Sequence, residues 1–121
     1  MKTMLIVDDS EFMRALIKKY TNELDINVIG EADSGKSGVA KYKELMPDIV
    51  TMDLTMYEGS GIEALKEIML INPNAVVIIV SSTAGQSPVV MEALTLGAKG
   101  VVDKGSMKTK LAETISKLLG E

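Results

Sequence analysis

Short apolar runs and longer stretches of helical periodicity alternate five times along this chain of 121 residues. The runs are aliphatic and short enough to be strands buried on both faces of a sheet. Those predicted strands are Met4–Val7, Ile26–Ala32, Asp48–Asp53, Val76–Ser81 and Lys99–Asp103. The stretches that follow them repeat apolar residues every three or four positions, which predicts amphipathic helices. Those predicted helices are Glu11–Leu24, Gly35–Met46, Ile62–Met69, Pro88–Leu96 and Met107–Leu119.

Serine, proline and glycine stand where several of these helices should begin or end. Ser10 and Ser106 precede predicted helices, where a side-chain hydroxyl can accept a hydrogen bond from a free backbone N–H. Ser87 does the same before Pro88, and proline is favoured at the first helical position. Gly97 follows the fourth helix and suits a C-terminal cap.

Strands that alternate with helices of this length predict right-handed β–α–β connections and a parallel sheet with helices on both faces. The expected fold is a doubly wound (βα)5 protein of the α/β class. One domain should span residues 1–121, since no linker, low-complexity tract or internal repeat interrupts the pattern.

Composition narrows the choice of function. No apolar run approaches the about 20 residues of a membrane span, and the N-terminus lacks the long apolar region of a signal peptide, so a cytoplasmic protein is expected. The chain has no histidine, which excludes histidine-based acid–base catalysis and the usual zinc sites. Its net charge of −4 argues against nucleic-acid binding.

Charged and hydroxyl side chains follow four of the predicted strands. They are Asp8, Asp9, Asp53, Ser82 and Lys104. Because the carboxyl ends of parallel strands form one crevice in which ligands bind, we expect these side chains to converge. Three carboxylates suit a divalent cation, and a hydroxyl with an ammonium group suits a phosphoryl group.

Four segments resemble the signature segments of the response-regulator receiver domain, the CheY-like module of two-component signalling. They are LIVDDS, DIVTMDLTM, VSSTAG and VVDKG, and together they span the chain with the family's spacing. The resemblance implies a flavodoxin-like sheet of order 2-1-3-4-5, and receivers are themselves a standard example of the rule on ligand position used above. It also implies a phosphorylation-activated switch rather than an enzyme that acts on other substrates.

The resemblance implies a role for each strand-end residue. Asp53 would accept a phosphoryl group from a histidine kinase and form an acyl phosphate. Asp9, directly, and Asp8, mainly through water, would hold Mg²⁺. Asp53 and the backbone carbonyl of Thr55 would complete the protein's share of metal ligands. Lys104 would pair with the phosphoryl group and stabilise its charge.

The assignment of the hydroxyl depends on strand register. By resemblance, Ser82 would bind a phosphoryl oxygen, and its neighbour Ser81 should point the other way because side chains alternate along a strand. If the register is shifted by one residue, the two serines exchange roles.

Three positions depart from the family pattern. Tyr57 stands four residues after the acceptor, where the family usually has proline. Gly105 replaces the proline after Lys104; a cis bond without proline costs about 2.5–4 kcal/mol, so we expect a trans Lys104–Gly105 peptide. Val101 replaces an aromatic residue that moves inward on activation, so switching should run through loop and backbone shifts.

The chain contains nine methionines, a large number for its length. Of those within predicted elements, we expect six to fill gaps in the core, the most frequent role of the flexible thioether side chain. They are Met4, Met13, Met46, Met52, Met69 and Met91.

The expected partners are proteins. By resemblance to chemotaxis receivers, a CheA-type kinase would supply the phosphoryl group. A flagellar-type motor switch, or another protein target, would bind the surface of Pro88–Leu96, Val101 and Met107–Leu119. We expect a monomer with no nucleic-acid or membrane partner.

Two other interpretations stay open. VSSTAG and MEALTLGAKG also resemble the receiver half of chemotaxis methylesterases, so the chain could act as a phosphate sink or regulate another enzyme. A Mg²⁺-dependent phosphatase is less favoured, because it would need an acidic residue where Thr55 stands.

Overall fold

Five parallel strands make one sheet in the computed structural model, which describes residues 1–56, 61–82 and 87–120. From the N-terminus they are β1 (Lys2–Val7), β2 (Ile26–Ala32), β3 (Ile49–Met52), β4 (Val77–Ser81) and β5 (Gly100–Asp103). Their order across the sheet is β2-β1-β3-β4-β5, so the predicted fold class and strand order are both confirmed.

Helices follow the strands and cover both faces of the sheet. They are α1 (Glu11–Thr21), α2 (Gly35–Leu45), α3 (Gly61–Ile71), α4 (Pro88–Leu96) and α5 (Met107–Leu118). One face, here the α1/α5 face, buries Ile6, Ile78 and Leu111. The opposite α2–α4 face buries Leu5 and Ile79. None of the described helices is long and apolar enough to cross a membrane.

Three helices end earlier than the sequence predicts, α5 by a single residue. α1 stops at Thr21 rather than Leu24, and the Thr21 hydroxyl donates to a carbonyl one turn back, at 2.8 Å. α2 stops at Leu45, because Met46 adopts a left-handed backbone with φ of 43°. Met46 precedes Pro47, and the residue before a proline is disfavoured in the helical region.

The three predicted serines all occupy the N-cap positions of their helices. Ser10 and Ser87 each accept a hydrogen bond from the backbone N–H three residues later. Ser106 precedes α5 as predicted, but its side chain makes no capping hydrogen bond. The three residues before α5 instead form a 3₁₀ turn, in which the Asp103 carboxylate accepts from the Gly105 N–H at 2.9 Å.

The methionine prediction is confirmed in part. Buried or partly buried positions against the core are occupied by Met4, Met13, Met52 and Met69. The prediction is wrong for Met46 and Met91, which are 50% and 52% exposed. Met46 is turned outward by its cap conformation. Met91 lies on the outer side of α4, whose inner side is formed by Val90 and Ala93.

Gly61 brings the start of α3 against the end of β3 and offers a test of this packing. A Cβ there would overlap the carbonyl oxygen of Asp53 and lie 2.8 Å from the Cα of Leu54. These are backbone atoms that cannot rotate away, so Gly61→Ala should lower the free energy of unfolding by about 1–3 kcal/mol. Urea denaturation measures this loss.

The matched control is Gly105→Ala. Its Cβ would meet Asp103 Oδ1 at 3.5 Å, which is an ordinary contact, so stability should change little. Equal midpoints for Gly61→Ala and the wild type would contradict this account of the packing between α3 and β3.

Candidate functional site

The alternation of side chains along the strands gathers the candidate residues on one face of the sheet. Four of them follow, at even spacing, a core residue of the α1/α5 face. The pairs are Ile6 with Asp8, Ile49 with Asp53, Val80 with Ser82 and Val102 with Lys104. β1 and β3 are neighbours at the point where the chain changes direction across the sheet, which is where ligands bind in open α/β sheets.

Asp8 is fully buried at the end of β1. Its backbone N–H donates to the carbonyl of Ala32 at 3.0 Å, which extends the ladder between β1 and β2. Its Oδ1 accepts from the N–H of Ser10 at 2.9 Å. Its Oδ2 accepts no hydrogen bond within the described part of the chain, so one buried carboxylate oxygen is left for another ligand.

Asp53 follows β3 and is 2% exposed. Its N–H donates to the carbonyl of Val7 at 3.0 Å, which places it beside the end of β1. Its Oδ1 accepts from both the N–H and the hydroxyl of Thr55, each at 3.1 Å. Thr55 is exposed and thus holds the orientation of the Asp53 carboxylate from the solvent side.

Lys104 bridges the two buried carboxylates. Its Nζ lies 3.4 Å from Oδ2 of Asp8 and 3.4 Å from Oδ2 of Asp53, to which it donates a hydrogen bond. One ammonium group therefore serves two carboxylates in a largely buried place. The Lys104–Gly105 peptide is trans, as the sequence predicts, since the described residues contain no cis peptide bond.

The carboxylates of Asp8, Asp9 and Asp53 can together hold a divalent cation. One oxygen of each lies within 4.8 Å of the others, and Asp9 is the exposed member. Hard cations such as Mg²⁺ take a few carboxylates and keep several waters, which fits a half-open site of this kind. Oδ2 of Asp8 supports the fit, because it is buried, lies 3.4 Å from Lys104 Nζ and accepts no hydrogen bond within the described residues, and a buried carboxylate oxygen short of donors is unfavourable.

The two serines differ as the unshifted register predicts. Ser81 ends β4 and is fully buried, whereas Ser82 is exposed at the mouth of the crevice. Ser82 shares the α1/α5 face with Asp53 by its even spacing from Val80. Tyr57, the family departure closest to the acceptor, lies outside the described residues.

Burial raises the pKa of Asp8 above its ordinary value of 3.8. The hydrogen bond from Ser10 opposes this rise, the neighbouring Asp53 charge adds to it, and Lys104 lowers it. The net upward direction means that the ionised Asp8 side chain is under-stabilised in the folded protein. A bound cation would stabilise the ionised carboxylate.

A basic residue that the sequence did not single out also reaches the site. Arg14, one turn into α1, donates from Nη1 to the backbone carbonyl of Asp8 at 2.7 Å. Its Nε donates to Glu31 of β2 at 3.0 Å. An arginine five residues after an acidic pair is a weak signal in a sequence, since most basic residues of an amphipathic helix are solvated.

The fold and the site define a doubly wound α/β domain with an acidic crevice at its switch point. The family model of the response regulator receiver domain matches residues 4–116. The chain is 49% identical to the chemotaxis protein CheY of Thermotoga maritima, with 97% of each chain covered.

Two solved structures have the same fold. The response regulator domain of Thermotoga maritima CheB has a TM-score of 0.91 at 37% identity, covering 99% of this chain and 97% of that one. A CheX–CheY–BeF3–Mg²⁺ complex from Borrelia burgdorferi has a TM-score of 0.90 at 33% identity, covering 98% and 89%. The chain belongs to the response regulator receiver domain family, and the resemblance seen in the sequence is confirmed.

The raised pKa of Asp8 predicts how stability depends on pH. Because the folded state holds this proton more tightly, ionisation of Asp8 favours the unfolded chain. Asp8→Asn should therefore have a larger free energy of unfolding than the wild type at neutral pH without metal. The difference should shrink as the pH falls through the raised pKa and vanish below 3.8. Urea denaturation in chelator at a series of pH values measures it.

Asp48→Asn is the control, and its effect on the free energy of unfolding should have the opposite sign to that of Asp8→Asn. The Thr3 N–H, donating to the Asp48 carboxylate at 2.8 Å, lowers the pKa of Asp48. This variant should lose stability above 3.8, and the loss should fade as the pH falls through the lowered pKa. A destabilised Asp8→Asn at neutral pH would contradict the account of Asp8.

Proposed function

We propose that this chain is a phosphorylation-activated response regulator of the chemotaxis type that accepts a phosphoryl group on Asp53 with Mg²⁺ bound. The observation that carries the proposal is the pair of buried carboxylates, Asp8 and Asp53, with Lys104 Nζ 3.4 Å from each at the switch point of the sheet. The 49% identity with a CheY over nearly the whole chain supports the same function.

The donor would be the phosphohistidine of a partner kinase. An oxygen of the Asp53 carboxylate attacks the phosphorus, the P–N bond to the kinase histidine breaks, and that electron pair leaves with the imidazole. The product on this chain is an acyl phosphate. Asp53 suits the role because it lies at the crevice floor with Oδ1 held by Thr55.

Asp8, Asp9 and Asp53 would hold Mg²⁺ together with the backbone carbonyl of Thr55. The bound cation would neutralise charge that gathers on the phosphoryl oxygens. Lys104, which lies 3.4 Å from Asp53 Oδ2, would pair with a phosphoryl oxygen and stabilise its charge. The CheX–CheY complex of Borrelia burgdorferi, which contains BeF3 and Mg²⁺, supports this use of the fold.

Output would run through protein contact. α4 exposes Met91 and Leu94, which are 52% and 41% accessible, and Val101 of β5 is partly buried. These residues lie in the surface predicted from the sequence, Pro88–Leu96 with Val101 and α5. A CheA-type kinase as donor and a flagellar-type motor switch as target are the partners we propose, with the chain acting as a monomeric switch without turnover of external substrates.

A test of the acceptor uses intact-mass spectrometry after treatment with acetyl phosphate. The wild type should gain the mass of one phosphoryl group with Mg²⁺ and not with chelator. Asp53→Asn should gain none, because the amide cannot form the acyl phosphate. Asp33→Asn is the control, since Asp33 follows β2 at the same edge of the sheet but outside the cluster of three carboxylates.

An adduct that persists in Asp53→Asn would place the acceptor elsewhere. An adduct that is absent from the wild type under every condition would refute phosphorylation of this chain by small donors. A normal adduct in Asp33→Asn is required for the comparison to support Asp53.

A matched pair of variants tests the hydroxyl. Ser82→Ala should slow phosphoryl uptake by about 10²-fold if its hydroxyl donates to a developing charge on the phosphoryl group. Ser81→Ala should keep the uptake rate and change the urea midpoint instead, because Ser81 is buried on the opposite face. The reverse pattern would show that Ser81 is the ligand; rates come from the growth of the adduct in time.

A further inference from the structure

Arg14 ties the loop after β1 to the neighbouring strand. This acidic loop, Asp8–Ser10, joins β1 to α1. Arg14 Nη1 donates to the Asp8 carbonyl at 2.7 Å, and Nε donates to Oε1 of Glu31 at 3.0 Å. Glu31 lies in β2 beside Ala32, whose carbonyl accepts the Asp8 N–H at 3.0 Å. One guanidinium therefore fastens the loop to the same strand end that pairs with Asp8.

These contacts fix Asp8 at three points. Its N–H is bonded to Ala32, its Oδ1 to the N–H of Ser10, and its carbonyl to Arg14. The carbonyl of Asp8 belongs to the planar peptide that leads into Asp9. Whatever orients that carbonyl also sets where Asp9 stands relative to Asp8, so Arg14 controls the spacing of two candidate metal ligands.

The positive charge of Arg14, taken alone, would weaken the binding of a divalent cation. A cation near a metal site repels a divalent cation, and the side chain of Arg14 is only 16% exposed. Glu31 offsets part of this charge, and it also pairs through Oε2 with Lys18 at 2.8 Å. Any gain in metal affinity from Arg14 must therefore come from geometry rather than attraction. Removal of Arg14 should weaken cation binding if geometry dominates and strengthen it if charge dominates.

We propose that Arg14, oriented by Glu31, is a positioning residue that preorganises the Asp8–Asp9 peptide for a divalent cation. The inference rests on the proposed function, because it assumes that Asp8, Asp9 and Asp53 hold Mg²⁺. The planar guanidinium offers two donors in fixed geometry, one for the carboxylate and one for the carbonyl. A lysine ammonium is a point charge without that fixed fork.

The test is calorimetric titration of Mg²⁺ into the unphosphorylated full chain. Arg14→Met and Arg14→Lys should each bind Mg²⁺ about tenfold more weakly than the wild type, the size seen when an outer partner of a metal ligand is lost. Lys18→Met is the matched control, since it removes a charge from Glu31 and leaves the Asp8 carbonyl bond in place. Its Kd for Mg²⁺ should stay near that of the wild type.

Urea denaturation of every variant in chelator separates positioning from folding. A lower unfolding midpoint with unchanged Mg²⁺ affinity would mean a structural role only and would overturn the inference. Tighter Mg²⁺ binding by Arg14→Met would mean that charge dominates and would overturn it as well. If Arg14→Met does not fold, Arg14→Lys carries the test because it keeps both the charge and most of the aliphatic chain.

Glu31→Gln gives an independent readout. The amide oxygen can still accept from Arg14 Nε, but the charge that offsets Arg14 and Lys18 is gone. Mg²⁺ affinity should fall, by less than in the Arg14 variants, and an increase would contradict the inference. A wild type that binds no Mg²⁺ would refute the proposed metal site itself, whereas a wild type that binds it with Arg14 variants of equal affinity would refute this inference alone.

Discussion

The buried carboxylates of Asp8 and Asp53 share one ammonium group, that of Lys104. This balance of charge determines which ligands suit the crevice. Asp8 and Asp53 follow neighbouring central strands, so the sheet brings the two carboxylates together although their negative charges repel. Removing two carboxylates from water and placing them side by side is unfavourable, and Lys104 compensates for only part of it. The resting site is therefore short of positive charge, which suits it to a divalent cation and, with that cation, to a phosphoryl group.

Backbone contacts hold the two carboxylates side by side. Hydrogen bonds from the N–H groups of Asp8 and Asp53 continue the strand ladders beyond the last strand residues. Gly61 allows α3 to start against the carbonyl of Asp53. Since these contacts do not depend on side-chain charge, the carboxylates stay close in the absence of any ligand, and the site is preorganised for binding.

Much of the fold could be predicted because the strands are unusually clear. β3 and β4 are buried throughout and consist mostly of β-branched or other aliphatic residues, so their apolar runs have no competing interpretation. The candidate site residues at the strand ends could be predicted from the same apolar runs. Ser106 holds the predicted N-cap position without the expected hydrogen bond, because Asp103 already caps a 3₁₀ turn just before α5, and a sequence pattern does not rank two neighbouring caps.

Other features depend on tertiary contacts that local patterns do not encode. Met91 has the helical spacing of a core residue, but the inner side of α4 is already filled by Val90 and Ala93. Arg14 is unremarkable in its helix, and its reach to Asp8 appears only once β2 is placed beside β1. The order of strands, by contrast, came from family resemblance and not from periodicity.

Ser81 and Ser82 are consecutive residues that face opposite sides of the sheet. Ser82 is exposed, while Ser81 is buried and, two residues after Ile79, falls on the α2–α4 face by strand alternation. A backbone displacement that draws Ser82 toward a new charge must therefore also move Ser81, with no intermediate side chain required. In a chain with valine at position 101 instead of an aromatic residue, this single peptide connects the crevice with the α2–α4 face of the sheet.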